Sequence, residues 1–242
     1  MSTLSNMFHD LLALLCPAQC IGCGTLLEGR AEWICIRCRA EIPLTYFHFD
    51  PENPMARKVK AICPSIENAT AQFFYVNKGR WREVIHEIKY RRSWYTAFKI
   101  GYWYGFELQE SDMFADVDLL MPVPLHRSRM LRRRYNQSEQ IADGLAKALG
   151  LKVNRTALKR RSNNPSQVTR TKQQRWRNVQ GIFAVRHAEQ LAGKHILLVD
   201  DVFTTGATII SCAETIKAAV PDCRISVATI AASRNEVLGR MI

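Results

Sequence analysis

No run of apolar residues in this 242-residue chain approaches the ~20 needed to cross a bilayer as a helix, and the first residues lack the basic flank and small-residue cleavage site of a secretory signal. A cytoplasmic location is therefore expected. In that reducing setting the eight cysteines are read as metal ligands or buried residues, not as a disulfide framework. The Gly-x-x-x-x-Gly-Lys pattern is also missing, which excludes a Walker nucleotide site. Acidic residues are scarce in one stretch: between Met121 and Gln180, fifteen Lys or Arg face only Glu139 and Asp143, a net of +13 in a chain whose total is +12. So local an excess suits phosphates, on a small ligand or on nucleic acid, better than a solvated face.

Against these absences stand two patterns. Cys20 and Cys23 form one Cys-x-x-Cys pair and Cys35 and Cys38 another, with eleven residues between them. Each pair offers two sulfurs to one metal, so the four thiolates can close a tetrahedron around Zn²⁺. A segment this short buries too little apolar surface to be stable alone, which gives the metal a structural purpose. Cys16 is a competing ligand, but only Cys20 restores the paired spacing. Ahead of it, Leu4, Met7, Phe8, Leu11, Leu12 and Leu15 recur at helical spacing.

The second pattern is "ILLVDDVFTTGAT", residues 196 to 208. A continuous apolar run ending in charge suits a buried parallel strand whose carboxyl end opens on a crevice. "TTGAT" then turns into an apolar-periodic helix over 207–219. The unpaired amides at that helix start, with the hydroxyls of Thr204, Thr205 and Thr208, suit a phosphate, and Gly206 leaves room for its approach. The acceptor-only carboxylates Asp200 and Asp201 need a different partner, and the vicinal hydroxyls of a ribose fit.

Residues 48 to 68 hold three prolines and read as a connector. Beyond it strands are expected at 70–76, 117–121, 152–158, 195–199 and 224–231, and helices around 81–88, 93–108, 137–149 and 207–219. The aromatics Trp94, Tyr95, Phe98, Tyr102 and Trp103 are expected in the core. Such alternation implies an α/β fold, a mostly parallel sheet flanked by helices.

"LLVDDVFTTGAT" resembles the signature of type I phosphoribosyltransferases. With the four-cysteine ribbon, "IKYRR", "PVPLHRSRMLRRRYNQ" and "PSQVTRTKQQRWRNVQGIF", nearly the whole chain is similar to the ComF family. The resemblance implies a small N-terminal zinc-ribbon domain over 1–45, a linker over 46–70 and a phosphoribosyltransferase-like domain over 71–242. It also implies a site for 5-phosphoribosyl 1-pyrophosphate (PRPP) and Mg²⁺ formed by Asp200, Asp201, Val202, Phe203, Thr204, Thr205, Gly206, Ala207 and Thr208. Pyrophosphate would meet Val123, Leu125 and Arg127, with Gln167 and Arg175 in a mobile hood. One position departs from the family pattern: Arg134 stands where relatives carry glycine, so a different backbone is expected there. The family is tied to DNA uptake in natural transformation and to DNA as a nutrient, with uptake-machinery proteins as implied partners. Three functions stay open at this point: a phosphoribosyltransferase of unknown acceptor, a PRPP sensor without turnover, and a single-stranded-DNA accessory protein contacting DNA through Arg132, Arg133, Arg134, Arg160 and Arg161.

Overall fold

The computed structural model describes residues 19–27, 33–75, 80–90, 93–161 and 181–239. Five strands, β1 (Ile66–Tyr75), β2 (Leu119–Pro122), β3 (Lys152–Val153), β6 (His195–Phe203) and β7 (Arg224–Ser233), form one sheet. Its order is β1-β7-β6-β2-β3 and every pairing is parallel. A separate antiparallel ribbon joins β4 (Leu158–Arg160) to β5 (Phe183–Val185). The helices are α1 (Ile36–Ala40), α2 (Pro54–Lys60), α3 (Arg80–Tyr90), α4 (Trp94–Gln109), α5 (Arg127–Arg133), α6 (Gln137–Leu149), α7 (Ala207–Ala219) and α8 (Arg234–Val237).

Both faces of the sheet are covered, which is why β6 is apolar without alternation. Ile196 and Leu198 face one core with Met55 and Val59 of α2 and Ile209 and Ile216 of α7. Leu197 and Val199 face the other, with Val84 and Ile88 of α3, Ile100 and Tyr104 of α4, and Ile141 and Leu145 of α6. The fold is thus a parallel sheet flanked by helices on both faces, with a four-cysteine knuckle at the N-terminal side.

Three expectations need correction. The strand expected over 152–158 is two, because Asn154 turns its carbonyl on the amides of Thr156 and Ala157 at 3.0 and 2.9 Å and ends β3. The stretch read as a connector contains α2: Asn53 caps it by accepting from the Ala56 amide at 2.9 Å, and Pro54 occupies the first helical position, where its missing N–H costs nothing. Met55, Ala56 and Val59 there are fully buried.

The third correction concerns α4, whose aromatics mostly do not enter the core. Only Tyr104 does, its hydroxyl donating to Thr70 at 2.9 Å, while Trp94 and Tyr95 are exposed and Phe98, Tyr102 and Trp103 half-buried. The cause is glycine. A Cβ on Gly101 would lie 2.3 Å from the Ile141 carbonyl oxygen, and one on Gly144 2.1 Å from that of Phe98. α4 and α6 therefore cross in near backbone contact through small residues, and the large rings of α4 are left outside.

Candidate functional site

Strand β6 carries its acids to the carboxyl edge of the sheet. The Asp200 Oδ1 accepts from the Ser138 hydroxyl and from the Asp201 amide, each at 2.9 Å. Burial pushes the Asp200 carboxyl up to about 7, with the adjacent Asp201 charge adding to the rise. Asp201 is paired with Lys89 at 3.3 Å. The chain then turns through Thr204, Thr205 and Gly206 into α7. Gly206 has φ of +79°, and a Cβ there would come within 2.8 Å of the Phe203 ring, so both backbone and space call for glycine. A small concavity of about 40 Å³ lies over this turn, lined by Thr204, Thr205, Gly206, Ala207 and Thr208.

The acids open on a cavity of about 280 Å³ that also takes in Tyr75, Lys89, Arg129, Arg133 and Arg160. A second cavity of about 280 Å³ shares Pro124, Leu125 and Arg160 with it and is lined by Arg155, Lys159 and Arg186. Arg160 thus stands between the two, over the Phe183 ring at 5.4 Å. Burial lowers its pKa from the ordinary value, the Arg129 charge helps, and its Nε has no hydrogen-bond partner among the described residues. A buried guanidinium with an unused donor is suited to an anion.

The loop after β2 and the start of α6 are fastened to each other. Asn136 caps α6 by accepting from the Ser138 amide at 3.2 Å and donates to the Val123 carbonyl at 3.1 Å. Gln137 receives Arg133 at 3.0 Å and donates to the Lys89 carbonyl at 3.4 Å, while the Tyr135 hydroxyl donates to the Ile88 carbonyl. Of the two loop amides expected to face pyrophosphate, that of Val123 already donates to the Val199 carbonyl at 2.9 Å. Gln167 and Arg175 lie outside the described residues, as does the side chain of Arg127.

Arg134 keeps the left-handed backbone, φ +68°, that glycine would adopt. An L-residue there bears strain of about 1 kcal/mol. Arg134→Gly is therefore expected to stabilise the protein by about 1 kcal/mol or somewhat less, since glycine also gains unfolded-state entropy. Urea denaturation measures it, and an unchanged or lowered midpoint would remove the strain argument.

Of the arginines read as DNA contacts, Arg132, Arg134 and Arg161 are exposed, whereas Arg133 and Arg160 line the cleft. Lys89, Ser138, Tyr75 and Arg129 were not singled out from sequence. Lys89 lies in "IKYRR" and Ser138 directly follows "RRRYNQ", so the two motifs did mark their neighbourhood.

At the other end of β6 is a cluster that imitates a hydrolase. Asp116 meets His195 Nδ1 at 2.8 Å, and His195 Nε2 meets the Ser226 hydroxyl at 2.8 Å. Ser226 is fully buried and His195 nearly so, hence no substrate reaches them. The cluster ties the starts of β6 and β7 to the segment before β2.

The four predicted cysteines come together. All four sulfurs lie within 4.8 Å of one another, and those of Cys23 and Cys35 are 3.7 Å apart, close to the edge of about 3.8 Å for a tetrahedron with metal–sulfur bonds of about 2.3 Å. Hydrogen bonding to Thr25 brings the Cys23 thiol down to about 6, while burial drives that of Cys38 up to about 12. A cation is what would hold all four as thiolates at neutral pH. Arg80, first residue of α3, donates to Cys38 Sγ at 3.2 Å and pairs with Glu41 at 2.6 Å. The last turn of that helix carries Lys89 into the cleft.

A family model described as a phosphoribosyl transferase domain matches residues 136–239. The chain is 26% identical over 219 residues to competence protein ComFC of Bacillus subtilis, covering 83% of this chain and 86% of that one. It is 28% identical over 134 residues to DNA utilization protein YhgH of Escherichia coli, 54% of this chain and 58% of the relative. Over most of its length the chain is thus similar to a competence protein, and over about half of it to a DNA utilization protein. It is also similar to solved phosphoribosyltransferase structures. They include the B. subtilis glutamine PRPP amidotransferase (TM-score 0.40, 17% identity, 60% of this chain and 30% of that one) and yeast adenine phosphoribosyltransferase (TM-score 0.37, 13% identity, 76% and 93%). Among its described residues, no helix is long and apolar enough to cross a membrane.

Proposed function

We propose that this chain is a ComF-family protein that binds PRPP with Mg²⁺ in the cleft at the carboxyl edge of β6 and serves the uptake or use of DNA in the cytoplasm. The observation that carries the reading is the meeting of unlike groups in one place. Two acids that suit ribose hydroxyls, Asp200 and Asp201, lie between an amide-rich turn at Thr204–Thr208 and the arginines of the cleft. The 5′-phosphate belongs on the turn, and the pyrophosphate between the Leu125 loop and Arg160. Mg²⁺, when bound, would neutralise charge on the pyrophosphate. What the chain's own residues do is position and neutralise: Ser138 orients Asp200, Lys89 restrains Asp201, and Arg160 meets departing negative charge.

In a transferase reaction a nitrogen nucleophile displaces pyrophosphate at the anomeric carbon through an oxocarbenium-like state. His126 does not supply an obvious base, because its Nδ1 accepts from the Ser128 amide at 3.1 Å and caps α5. Binding and turnover are separated by calorimetry with Mg²⁺–PRPP followed by pyrophosphate-release assays across nucleobases. Binding is the expected result, and its absence in folded protein refutes the pocket. Zn²⁺ on Cys20, Cys23, Cys35 and Cys38 is the proposed structural metal.

A further inference from the structure

The solvent side of α4 is built from residues that neither the core nor the cleft uses. Trp94, Phe98, Tyr102 and Phe106 recur every four residues and so form one stripe, about 18 Å long at the helical rise. Trp94 is 56% exposed, Tyr95 48% and Phe106 45%. The rings of Phe98 and Tyr102 are nearly parallel, 6° apart, with centroids 6.2 Å from each other.

Among the described residues, cations lie over the rings of Tyr95, Phe98, Tyr102 and Trp103. Lys99 Nζ lies 5.2 Å from the centre of the Tyr95 ring, and Lys147 Nζ 5.8 and 5.5 Å from those of Phe98 and Tyr102. Arg39 lies 5.3 Å over Trp103, which itself meets Trp33 at 5.9 Å beside the cysteine knuckle. The one acidic side chain of α4, Glu107, is turned to the Gln72 amide at 3.1 Å. The far end of the face meets the cysteine knuckle, where Tyr102, Trp103 and Phe106 share a hollow with Trp33, Ile36 and Arg39.

We propose that this face binds single-stranded DNA, with bases stacked on the α4 rings and phosphates on Lys99, Lys147 and Arg39. Rings about 6 Å apart along the axis can each take one base of an unstacked strand. A duplex hides its base faces, and the cores of protein interfaces are depleted in lysine, so neither fits a surface where lysine and arginine lie over four of the rings. That the strand is DNA rests on the proposed role in DNA uptake or use; the face is independent of the PRPP cleft.

The test is fluorescence anisotropy with labelled oligo(dT) of about 16 nucleotides over a salt series. Trp94→Ala with Phe106→Ala is expected to weaken binding roughly tenfold or more, both rings being exposed and dispensable for the fold. Lys99→Ala with Lys147→Ala should flatten the slope of log affinity against log salt by about 1.4, at about 0.7 per phosphate contact. PRPP calorimetry on the same variants should be unchanged, so a wild-type protein that binds oligo(dT) but not PRPP refutes the cleft and supports the face. The inference is overturned if wild type does not bind oligo(dT), or if both double variants bind as wild type. It is also overturned if binding is lost instead in Arg132→Ala with Arg134→Ala, which would move the strand to the rim of the cleft. A change of sedimentation in the aromatic variants without a change in DNA affinity would make the face a protein contact and overturn it as well.

Discussion

Replacing Asp200 and Asp201 together by alanine is expected to weaken Mg²⁺–PRPP binding roughly hundredfold or more while the protein keeps its cooperative melt. Each carboxylate would accept from a ligand hydroxyl, and a hydrogen bond to a charged acceptor contributes about 1.5–3 kcal/mol. Neither acid holds the sheet together: Leu197, Leu198 and Val199 before them fill the two cores, and the acids stand at the open edge. An unchanged affinity in the folded double variant would sink the site.

The same acids give a prediction that needs no ligand. Burial raises the Asp200 carboxyl from its ordinary 3.8 to about 7, so the native state holds a proton that the unfolded chain releases. The native state is thus favoured by this group below pH 4, and the advantage is lost as pH rises from 4 to 7, with a constant deficit above that. Asp200→Asn removes the titration while keeping an oxygen for Ser138 and the Asp201 amide. It should leave stability near pH 4 almost unchanged and raise it at pH 8 by about 2–4 kcal/mol, the upper figure being three pKa units taken whole. Urea melts at the two pH values decide it. An equal effect at both would mean that Asp200 is not desolvated in the native state.

What could be read from sequence follows from how local each signal is. The cysteine knuckle is legible because four ligands at fixed spacing have few other uses, and the sulfurs do converge. The turn of Thr204 to Thr208 is legible because a strand, a glycine with positive φ and a helix start are contiguous. By contrast, Lys89 and Ser138 reach Asp201 and Asp200 from α3 and α6, across 112 and 62 positions of chain, and no periodicity carries that information. α4 misled for a physical reason. Its aromatics outnumber its glycines, so the sequence reads as a helix with large rings inward; Gly101 and Gly144 reverse this by bringing the backbones of α4 and α6 together. The backbone of Arg134 was not legible for a related reason. Its left-handed conformation sits beside contacts made by its neighbours, Asn136 on Val123 and Tyr135 on Ile88, which lie far off in the chain.

The metal centre carries the other large expected effect. One Zn²⁺ per chain is expected by metal analysis, and Cys35→Ser is expected to release it, because apparent structural-zinc binding energies are about 10–16 kcal/mol and depend on all four thiolates. Cys35 also organises the knuckle, accepting from the Cys38 amide at 3.4 Å and donating its own amide to Cys20 Sγ at 3.3 Å. Its loss should release Trp33 from Trp103 and shift the tryptophan emission to the red, while the parallel sheet still melts cooperatively from its own two cores. The damage should not stop at the knuckle. Arg80 begins the helix that delivers Lys89 to Asp201, and without Cys38 held as a thiolate its position has only Glu41 to fix it. A fall of PRPP affinity on zinc removal is therefore expected, smaller than that of the double aspartate variant, and Arg80→Ala should reproduce it with the zinc still bound. Purified protein without zinc, or a Cys35→Ser protein that retains it in full, would end the assignment of the metal centre; equal PRPP affinity with and without the metal would leave the centre intact and dissolve its link to the cleft.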